Sequence, residues 1–184
     1  KRIGRKVHIH NQVWKGYVSN KIWYDWHEMR RDVNILCREI VLDKFDPQVI
    51  VGLSRGGLVP GVMMSHWFQK PFKPIKAALR DFPEWEDYLP KKSDRRILIV
   101  DDICDSGETF ERMKDYLLKN AGFSTLRSGI VNRAHGIDIK FASLWWNNEA
   151  PAGFEPHYYV QECAKDSEDI WIQFPWESWW NMPV

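Results

Sequence analysis

The segment 96–110, RILIVDDICDSGETF, constrains the fold of this 184-residue chain more than any other stretch. Ile97 to Val100 is a continuous aliphatic run, which is typical of a strand buried on both faces of a parallel sheet. Asp101 and Asp102 come next, and we expect them at the solvent-facing carboxyl end of that strand. Because ligands of open α/β sheets bind outside the carboxyl ends of the strands, these carboxylates are placed to hold sugar hydroxyls or a metal ion.

The polar loop after the two aspartates predicts an anion site. It consists of Asp105, Ser106, Gly107, Glu108 and Thr109. A helix is predicted to begin near Glu108 and end at Asn120, so hydroxyls and backbone N–H groups at its start would form an anion cradle. Glu108 is compatible with this cradle if its side chain points away and only its backbone N–H binds.

A second strand and loop precede this one. Val49–Leu53 is predicted to be a short buried strand, and a helix is predicted over Leu58–Phe68. The loop between them contains Ser54, Arg55, Gly56 and Gly57. Paired glycines let the backbone approach a ligand closely, and the Arg55 guanidinium has a fork of donors that suits phosphate.

The order of predicted elements indicates the fold class. Another helix is predicted from four apolar residues at spacings of three and four, with Ser19 or Asn20 as its N-cap: Met29, Val33, Leu36 and Ile40. Further strands are predicted over 74–79, 123–131, 139–146 and 158–161. This alternation favours an α/β fold with a central, mostly parallel sheet and helices on both faces, in a single domain over residues 1–184.

Three blocks of the sequence resemble type I phosphoribosyltransferases, enzymes that use 5-phosphoribosyl diphosphate (PRPP). VDDICDSGET, residues 100–109, is similar to their PRPP motif, and SRGGLVPG, residues 54–61, to the pyrophosphate loop of bacterial xanthine-guanine phosphoribosyltransferases. WIQFPWE, residues 171–177, resembles the segment that closes over a purine base. The resemblance implies the type I phosphoribosyltransferase fold with a small C-terminal hood, formed by about residues 145–184, that binds the base.

The resemblance also implies roles for the two loops. Asp101 and Asp102 would hold the ribose of PRPP and organise Mg²⁺, largely through PRPP and water. Residues 105–109 would hold the 5′-phosphate, and residues 54–57 the pyrophosphate. Asp105 and Arg55 would be the catalytic residues, with Asp105 near N7 of the purine, where it accepts or steadies the proton.

Base binding is assigned to three residues by the same resemblance. Trp171 would stack on the purine and Ile172 would contact its edge through the backbone. In relatives that use 6-oxopurines a lysine donates to the exocyclic oxygen, and counting along residues 126–135 brings that position to Arg133 or a residue next to it. Two alternatives stay open: Trp171 and Trp176 are core aromatics, and Arg133 is a solvated loop residue. The charged segment 80–95 matches a mobile active-site loop of the family, and it is equally compatible with an ordinary surface loop.

Composition limits the class of protein. A formal net charge of +1 does not favour binding to nucleic acid. The sequence has no run of about 18 apolar residues, so we expect no membrane-spanning helix. The three cysteines, Cys37, Cys104 and Cys163, are odd in number and widely spaced, which favours a reducing cytoplasm over a disulfide framework. The resemblance adds an expected homodimer or higher homo-oligomer.

The expected function is transfer of a 5-phosphoribosyl group from PRPP to a purine base with Mg²⁺ as cofactor, giving a nucleoside monophosphate and pyrophosphate. Guanine, xanthine or hypoxanthine is favoured as the base. Two alternatives use the same fold: a phosphoribosyltransferase for a non-purine acceptor such as orotate or uracil, and a non-catalytic regulator that senses PRPP or a nucleotide.

Overall fold

The structure is a computed structural model that describes residues 10–11, 20–76, 90–91, 93–120, 137–150, 153–177 and 179–181. The strands in these ranges are β1 (His10–Asn11), β2 (Asn20–Trp23), β3 (Val49–Ser54), β4 (Phe72–Lys76), β5 (Arg96–Cys104), β6 (Asp138–Asn147), β7 (Tyr158–Cys163) and β8 (Ile170–Gln173). The helices are α1 (Trp26–Leu42), α2 (Leu58–Phe68) and α3 (Glu108–Asn120), followed by a 3₁₀ helix, Trp179–Asn181. In the described ranges, no helix combines the length and apolar character that crossing a bilayer requires.

Five strands form the main sheet, in the order β4-β3-β5-β6-β7, and every neighbouring pair is parallel. The chain moves outward from β3 to β4, and then returns to β5 before moving outward in the other direction through β6 and β7. The strand order therefore reverses between β3 and β5. Loops at the carboxyl ends of these two strands flank the crevice where open α/β sheets bind ligands.

Helices cover both faces of the main sheet, which confirms the predicted α/β class. On one face α1 and α2 pack against alternate strand residues such as Ile50, Leu98 and Leu144. On the other face α3 packs against the intervening ones, such as Val51 and Ile99. The run 97–100 is continuously apolar because its residues are buried on both sides.

A second, three-stranded sheet has the order β1-β2-β8, with β2 and β8 parallel. It differs from the predicted hood in two respects. Strand β7 lies within residues 145–184 but is an edge strand of the main sheet, and the small sheet takes β2 from the N-terminal part of the chain. Ile22, Ile170 and Ile172 of the small sheet pack into the same core as α1, so this sheet is anchored on the α1 face.

The predicted N-cap of α1 is wrong. Asn20 lies in β2, where pairing with β8 holds it extended, and Ser19 lies outside the described residues. The helix begins at Trp26 and is capped by Asp25, whose Oδ1 accepts from the backbone N–H of Glu28 at 2.7 Å. The Glu28 carboxylate accepts from the backbone N–H of Asp25 in return, so the two residues form a capping box.

The bounds of the other predicted helices and strands agree well with the observed bounds, where the structure describes these residues. Helices α2 and α3 have the predicted bounds, and β6 and β7 extend the strands predicted over 139–146 and 158–161. Strand β4 begins at Phe72, two residues before the predicted start, and residues 77–79 lie outside the described ranges. The strand predicted over 123–131 and most of the segment 80–95 also lie outside them.

A buried carboxylate connects the small sheet to the main one. Asp32 of α1 is fully buried and accepts from the Tyr24 hydroxyl at 2.8 Å, from Gln161 Nε2 of β7 at 2.9 Å and from Arg31 Nε at 2.7 Å. Burial, and then the Asp32 charge, raise the pKa of Tyr24, so the hydroxyl remains a donor. Because Tyr24 directly follows β2, this network fixes the position of the small sheet against α1 and β7.

Removing the Tyr24 hydroxyl tests this connection. Tyr24→Phe is expected to lower the free energy of unfolding by about 1.5–3 kcal/mol, since a hydrogen bond to a buried charged group is lost. The control is Tyr159→Phe, whose hydroxyl bonds the exposed Glu155; this change is expected to remove no more than about 1 kcal/mol. Urea unfolding measures both, and equal losses in the two variants would contradict the role of Asp32.

Candidate active site

The loop after β3 lies against the end of β5 because two of its residues lack side chains. A Cβ on Gly56 would lie 2.1 Å from Cγ of Asp102, and a Cβ on Gly57 would lie 2.1 Å from the carbonyl oxygen of Val100. Any larger residue would push the two segments apart. The paired glycines therefore bring the loops after β3 and β5 into direct contact at the point where the strand order reverses.

Arg55 lies in this loop and is exposed to solvent. Together with Gly56 it lines a cavity. The Ser54–Arg55 peptide bond is cis. The backbone N–H of Gly57 donates to the carbonyl of Leu53 at 2.8 Å, and α2 begins at the next residue. Ser54, Arg55, Gly56 and Gly57 are thus together at the carboxyl end of β3, as the sequence predicted.

Asp101 and Asp102 lie inside β5, which continues to Cys104, and are not beyond its end. Both are half-buried, so this end of the strand faces solvent less than we expected. An Asp101 carboxylate oxygen accepts from the backbone N–H of Asp102 at 3.0 Å, and an Asp102 oxygen accepts from that of Ile103 at 2.8 Å. These bonds hold both side chains in fixed positions.

The electrostatics of this pair favour a bound cation. Burial, and then the neighbouring Asp102 charge, raise the pKa of Asp101 well above its usual range. Burial also raises the pKa of Asp102 to about 6, with a further contribution from the charge of Glu177. Within the described ranges, no lysine or arginine forms an ion pair with either carboxylate.

Carboxylate oxygens are ligands that Mg²⁺ prefers, so Asp101 and Asp102 fit this ion. The described part of the chain holds no group of three or more His, Cys, Asp or Glu side chains suited to a metal. Mg²⁺ binds proteins through one or two carboxylates together with substrate phosphates and water, and two carboxylates are sufficient for that mode of binding.

The loop after β5 forms the start of α3 and is open to an anion. Gly107 has a φ of +80°, a conformation that favours glycine, and a Cβ there would lie 2.4 Å from Cβ of Phe154. Ser106 Oγ accepts from the backbone N–H of Glu108 at 3.3 Å. The Glu108 carboxylate pairs with Arg112 one turn along the helix, at 3.0 Å, and so is turned away from the loop. The Glu108 carboxylate therefore does not lie among the backbone N–H groups at this helix start, and the N–H of Glu108 itself is bonded to Ser106 Oγ.

Asp105 has two partners that sequence reasoning did not find. Its Oδ1 accepts from Asn147 Nδ2 at 3.2 Å, and its Oδ2 forms an ion pair with Lys165 Nζ. Asn147 ends β6, the strand next to β5, while Lys165 follows β7. The position of Asn147 at the end of a predicted strand could have indicated a site residue. Nothing in the sequence connects Lys165 with Asp105, which lies 60 positions earlier. Arg133, the predicted base contact, lies outside the described residues.

Trp171 and Ile172 lie in β8 and face opposite sides of the small sheet. Ile172 is 6% exposed and packs in the core, whereas Trp171 is 52% exposed. The alternative of a core aromatic is therefore wrong for Trp171 but correct for Trp176, which is partly buried against the core. A cavity of about 850 Å³ separates the Trp171 side of the small sheet from the loop after β3. Its lining includes Arg55, Gly56, Trp171, Trp176, Trp179 and Trp180. An aromatic surface therefore faces a cationic loop across one cavity.

Neutralising Asp102 tests the electrostatics of β5. The pKa of Asp102 in the folded protein, about 6, is above its ordinary value of 3.8, so its ionised form destabilises the fold at pH values above about 6. This effect fades as the pH falls towards about 4, because the folded protein then carries the protonated acid. We expect Asp102→Asn to melt at a higher temperature than the parent at pH 8, with a smaller difference at pH 5.

The exposed Asp115 of α3 provides a control, and Asp115→Asn should melt with the parent at both pH values. Scanning calorimetry measures all three proteins. If Asp102→Asn melts below the parent at pH 8, the ionised carboxylate stabilises the fold, and the raised pKa of Asp102 is contradicted.

Comparison with known proteins agrees with this geometry. Over residues 19–179 the chain matches the family described as phosphoribosyl transferase domain. Xanthine-guanine phosphoribosyltransferase of Chromohalobacter salexigens is 26% identical over 169 residues, which cover 83% of this chain and 81% of the relative. The same enzyme of Cereibacter sphaeroides is 27% identical over 170 residues, which cover 83% and 84%.

Among solved structures, a purine phosphoribosyltransferase from Pyrococcus horikoshii Ot3 matches with a TM-score of 0.62 and 29% identity, covering 89% of this chain and 97% of the other. The family match runs from just before β2 to the 3₁₀ helix, so it contains both loops, the carboxylate pair and the aromatic surface. The chain that brings these parts together is a member of the phosphoribosyl transferase domain family and a phosphoribosyltransferase.

Proposed function

We propose that this protein transfers the 5-phosphoribosyl group of PRPP to a purine base, with guanine, xanthine or hypoxanthine as the acceptor, and uses Mg²⁺. One observation carries the proposal: the exposed ring of Trp171 faces the glycine loop of Arg55 across a single cavity at the switch point of the sheet. A flat heterocycle fits the aromatic side, and a diphosphate fits the cationic side. The similarity to purine and xanthine-guanine phosphoribosyltransferases supports the same class of acceptor.

PRPP would bind along the carboxyl ends of β3 and β5. The start of α3, at residues 105–109, would hold the 5′-phosphate through backbone N–H groups. Asp101 and Asp102 would accept hydrogen bonds from the ribose hydroxyls. Arg55 and the backbone of residues 54–57 would hold the pyrophosphate, and Mg²⁺ bound to PRPP would neutralise charge on that leaving group.

The reaction exchanges one bond at the anomeric carbon for another. The bond from this carbon to the pyrophosphate oxygen breaks, and the pyrophosphate leaves with the electron pair. A nitrogen of the purine forms the new bond to the same carbon, and the base loses one proton. Asp105, at the end of β5, would accept or steady the proton at N7, and Arg55 would stabilise the charge that develops on the pyrophosphate.

The proposal is tested by supplying PRPP and Mg²⁺ with one base at a time and measuring pyrophosphate release. Guanine, hypoxanthine and xanthine are expected to support turnover, with adenine, orotate and uracil far slower. Turnover with orotate or uracil alone would replace the purine assignment. Tight PRPP binding without pyrophosphate release for any base would indicate a sensor.

Trp171 is expected to act on the base and not on PRPP. Stacking contributes about 0.5–1.5 kcal/mol beyond burial, so Trp171→Ala should raise the KM for guanine several-fold while the KM for PRPP changes less than twofold. Trp67, exposed on α2 and absent from the cavity lining, provides the matched control, since Trp67→Ala should change neither KM. An unchanged guanine KM in Trp171→Ala would remove this residue from the base site.

A further inference from the structure

Asn147 lies at the carboxyl end of β6, between the loops that follow the two neighbouring strands. On one side Trp146 pairs with Cys104, the last residue of β5, so Asn147 lies next to Asp105. On the other side Asn147 pairs with Cys163, the last residue of β7. Asn147 is 1% exposed, and a buried amide needs hydrogen-bond partners within the protein.

The Asn147 amide has a partner in each of the loops after β5, β6 and β7. Its Oδ1 accepts from the backbone N–H of Glu149 at 3.2 Å and from that of Lys165 at 3.1 Å. Its Nδ2 donates to Oδ1 of Asp105 at 3.2 Å. The opposite orientation of the amide would place N–H groups against N–H groups and an oxygen against a carboxylate, so these partners determine which atom is the nitrogen. One buried amide thus connects three loops.

Asp105 is held through both of its carboxylate oxygens. Oδ1 accepts from the Asn147 amide, and Oδ2 forms an ion pair with Lys165. The same amide also holds Lys165, through its backbone N–H. The Asp105 side chain is nevertheless 44% exposed, so a substrate can reach it. Because Asp105 follows the last residue of β5, no strand pairing fixes its side chain, and its orientation depends on these two donors.

We propose that Asn147 is a positioning residue for the transfer reaction: its amide orients the Asp105 carboxylate towards the purine, and Asn147 itself does not touch the substrate. The proposal rests on the role of Asp105 in the function proposed above. A donor on each oxygen fixes the direction in which the carboxylate faces. Holding a catalytic group in its working geometry lowers the barrier of the chemical step, so the amide should act on kcat through Asp105.

Two substitutions separate the bond to Asp105 from the bonds to the other two loops. Asn147→Asp keeps an acceptor for the N–H groups of Glu149 and Lys165 but puts an oxygen in place of the donor to Asp105. With guanine, PRPP and Mg²⁺ at pH 8, it is expected to lower kcat about 10–100-fold while the KM for PRPP changes less than about twofold. Asn147→Ala removes all three bonds and should lower both kcat and the melting temperature, because two buried N–H groups lose their acceptor.

Lowering the pH provides a readout that a purely structural role would not change. Two adjacent carboxyl groups share a proton, and in Asn147→Asp the new, buried group takes it because Lys165 pairs with Asp105. The protonated acid is a donor again and restores the bond to Asp105. The kcat of Asn147→Asp, as a fraction of the parent value, should therefore rise about fivefold from pH 8 to pH 5. Three other carboxylates carry charges that reach the thiols near Asp105, and they are the same in both proteins: Asp101, Glu149 and Glu168.

Two further variants serve as matched controls. Asn148, the next residue, is exposed, so Asn148→Asp adds the same charge one position away from the buried amide. It should leave kcat and both KM values within about twofold of the parent at either pH. Asp105→Asn should lower kcat at least as much as Asn147→Asp does, and it should not recover at pH 5, because no carboxylate remains for the amide to orient.

Two results would overturn the proposal while leaving the proposed function intact. One is a parent-like kcat in Asn147→Asp at pH 8 while Asp105→Asn loses activity, which means that Asp105 needs no amide to orient it. The other is a loss in Asn147→Asp that persists unchanged at pH 5, which indicates a purely structural amide. A parent-like kcat in Asp105→Asn would remove Asp105 from the reaction, and Asn147 with it. If the parent releases no pyrophosphate with any purine base, the proposed function itself fails.

Discussion

The close contact between the loop after β3 and the end of β5 is the constraint on which the site depends. Gly56 lies where any side chain would overlap the Asp102 carboxylate, and Gly57 lies directly against the Val100 carbonyl. Strand order places these loops on either side of the switch point, and the glycines then let them meet. A diphosphate held by one loop is thereby next to a sugar held by the other.

The ionised carboxylates of Asp101 and Asp102 destabilise the folded protein when no cation is bound to them. Burial raises the pKa of both carboxyls, and the Asp102 charge raises the pKa of Asp101 further. Asp105 differs from this pair because its carboxylate forms an ion pair with Lys165 and accepts a hydrogen bond from Asn147. The site therefore contains one pair of carboxylates, Asp101 and Asp102, that favours a bound cation, and one carboxylate, Asp105, that already has a cationic partner in Lys165.

Local sequence patterns predicted most of the main sheet and its loops. The aliphatic run at 97–100, the glycine pair at 56–57 and the apolar stripe of α1 are each recognisable within a short stretch of sequence, although the contacts that they make are with distant parts of the chain. The small sheet could not be predicted in this way, because β2 pairs with β8, 150 residues later in the chain. The same limit applies to Lys165, since its partner Asp105 is reached only when β7 lies beside β6. The pairing of Asn20 with β8 has no local signal, so the local pattern favours a helix cap there, although Asp25 and Glu28 show the spacing of a capping box.

A crystal structure of the protein with Mg²⁺, PRPP and a guanine analogue that cannot form the glycosidic bond would show where each part of the substrates binds. We expect the ribose hydroxyls on Asp101 and Asp102, the diphosphate on residues 54–57, and the base on Trp171 with its N7 edge at Asp105. A base bound away from Trp171, or a diphosphate bound away from the glycine loop, would contradict this expectation.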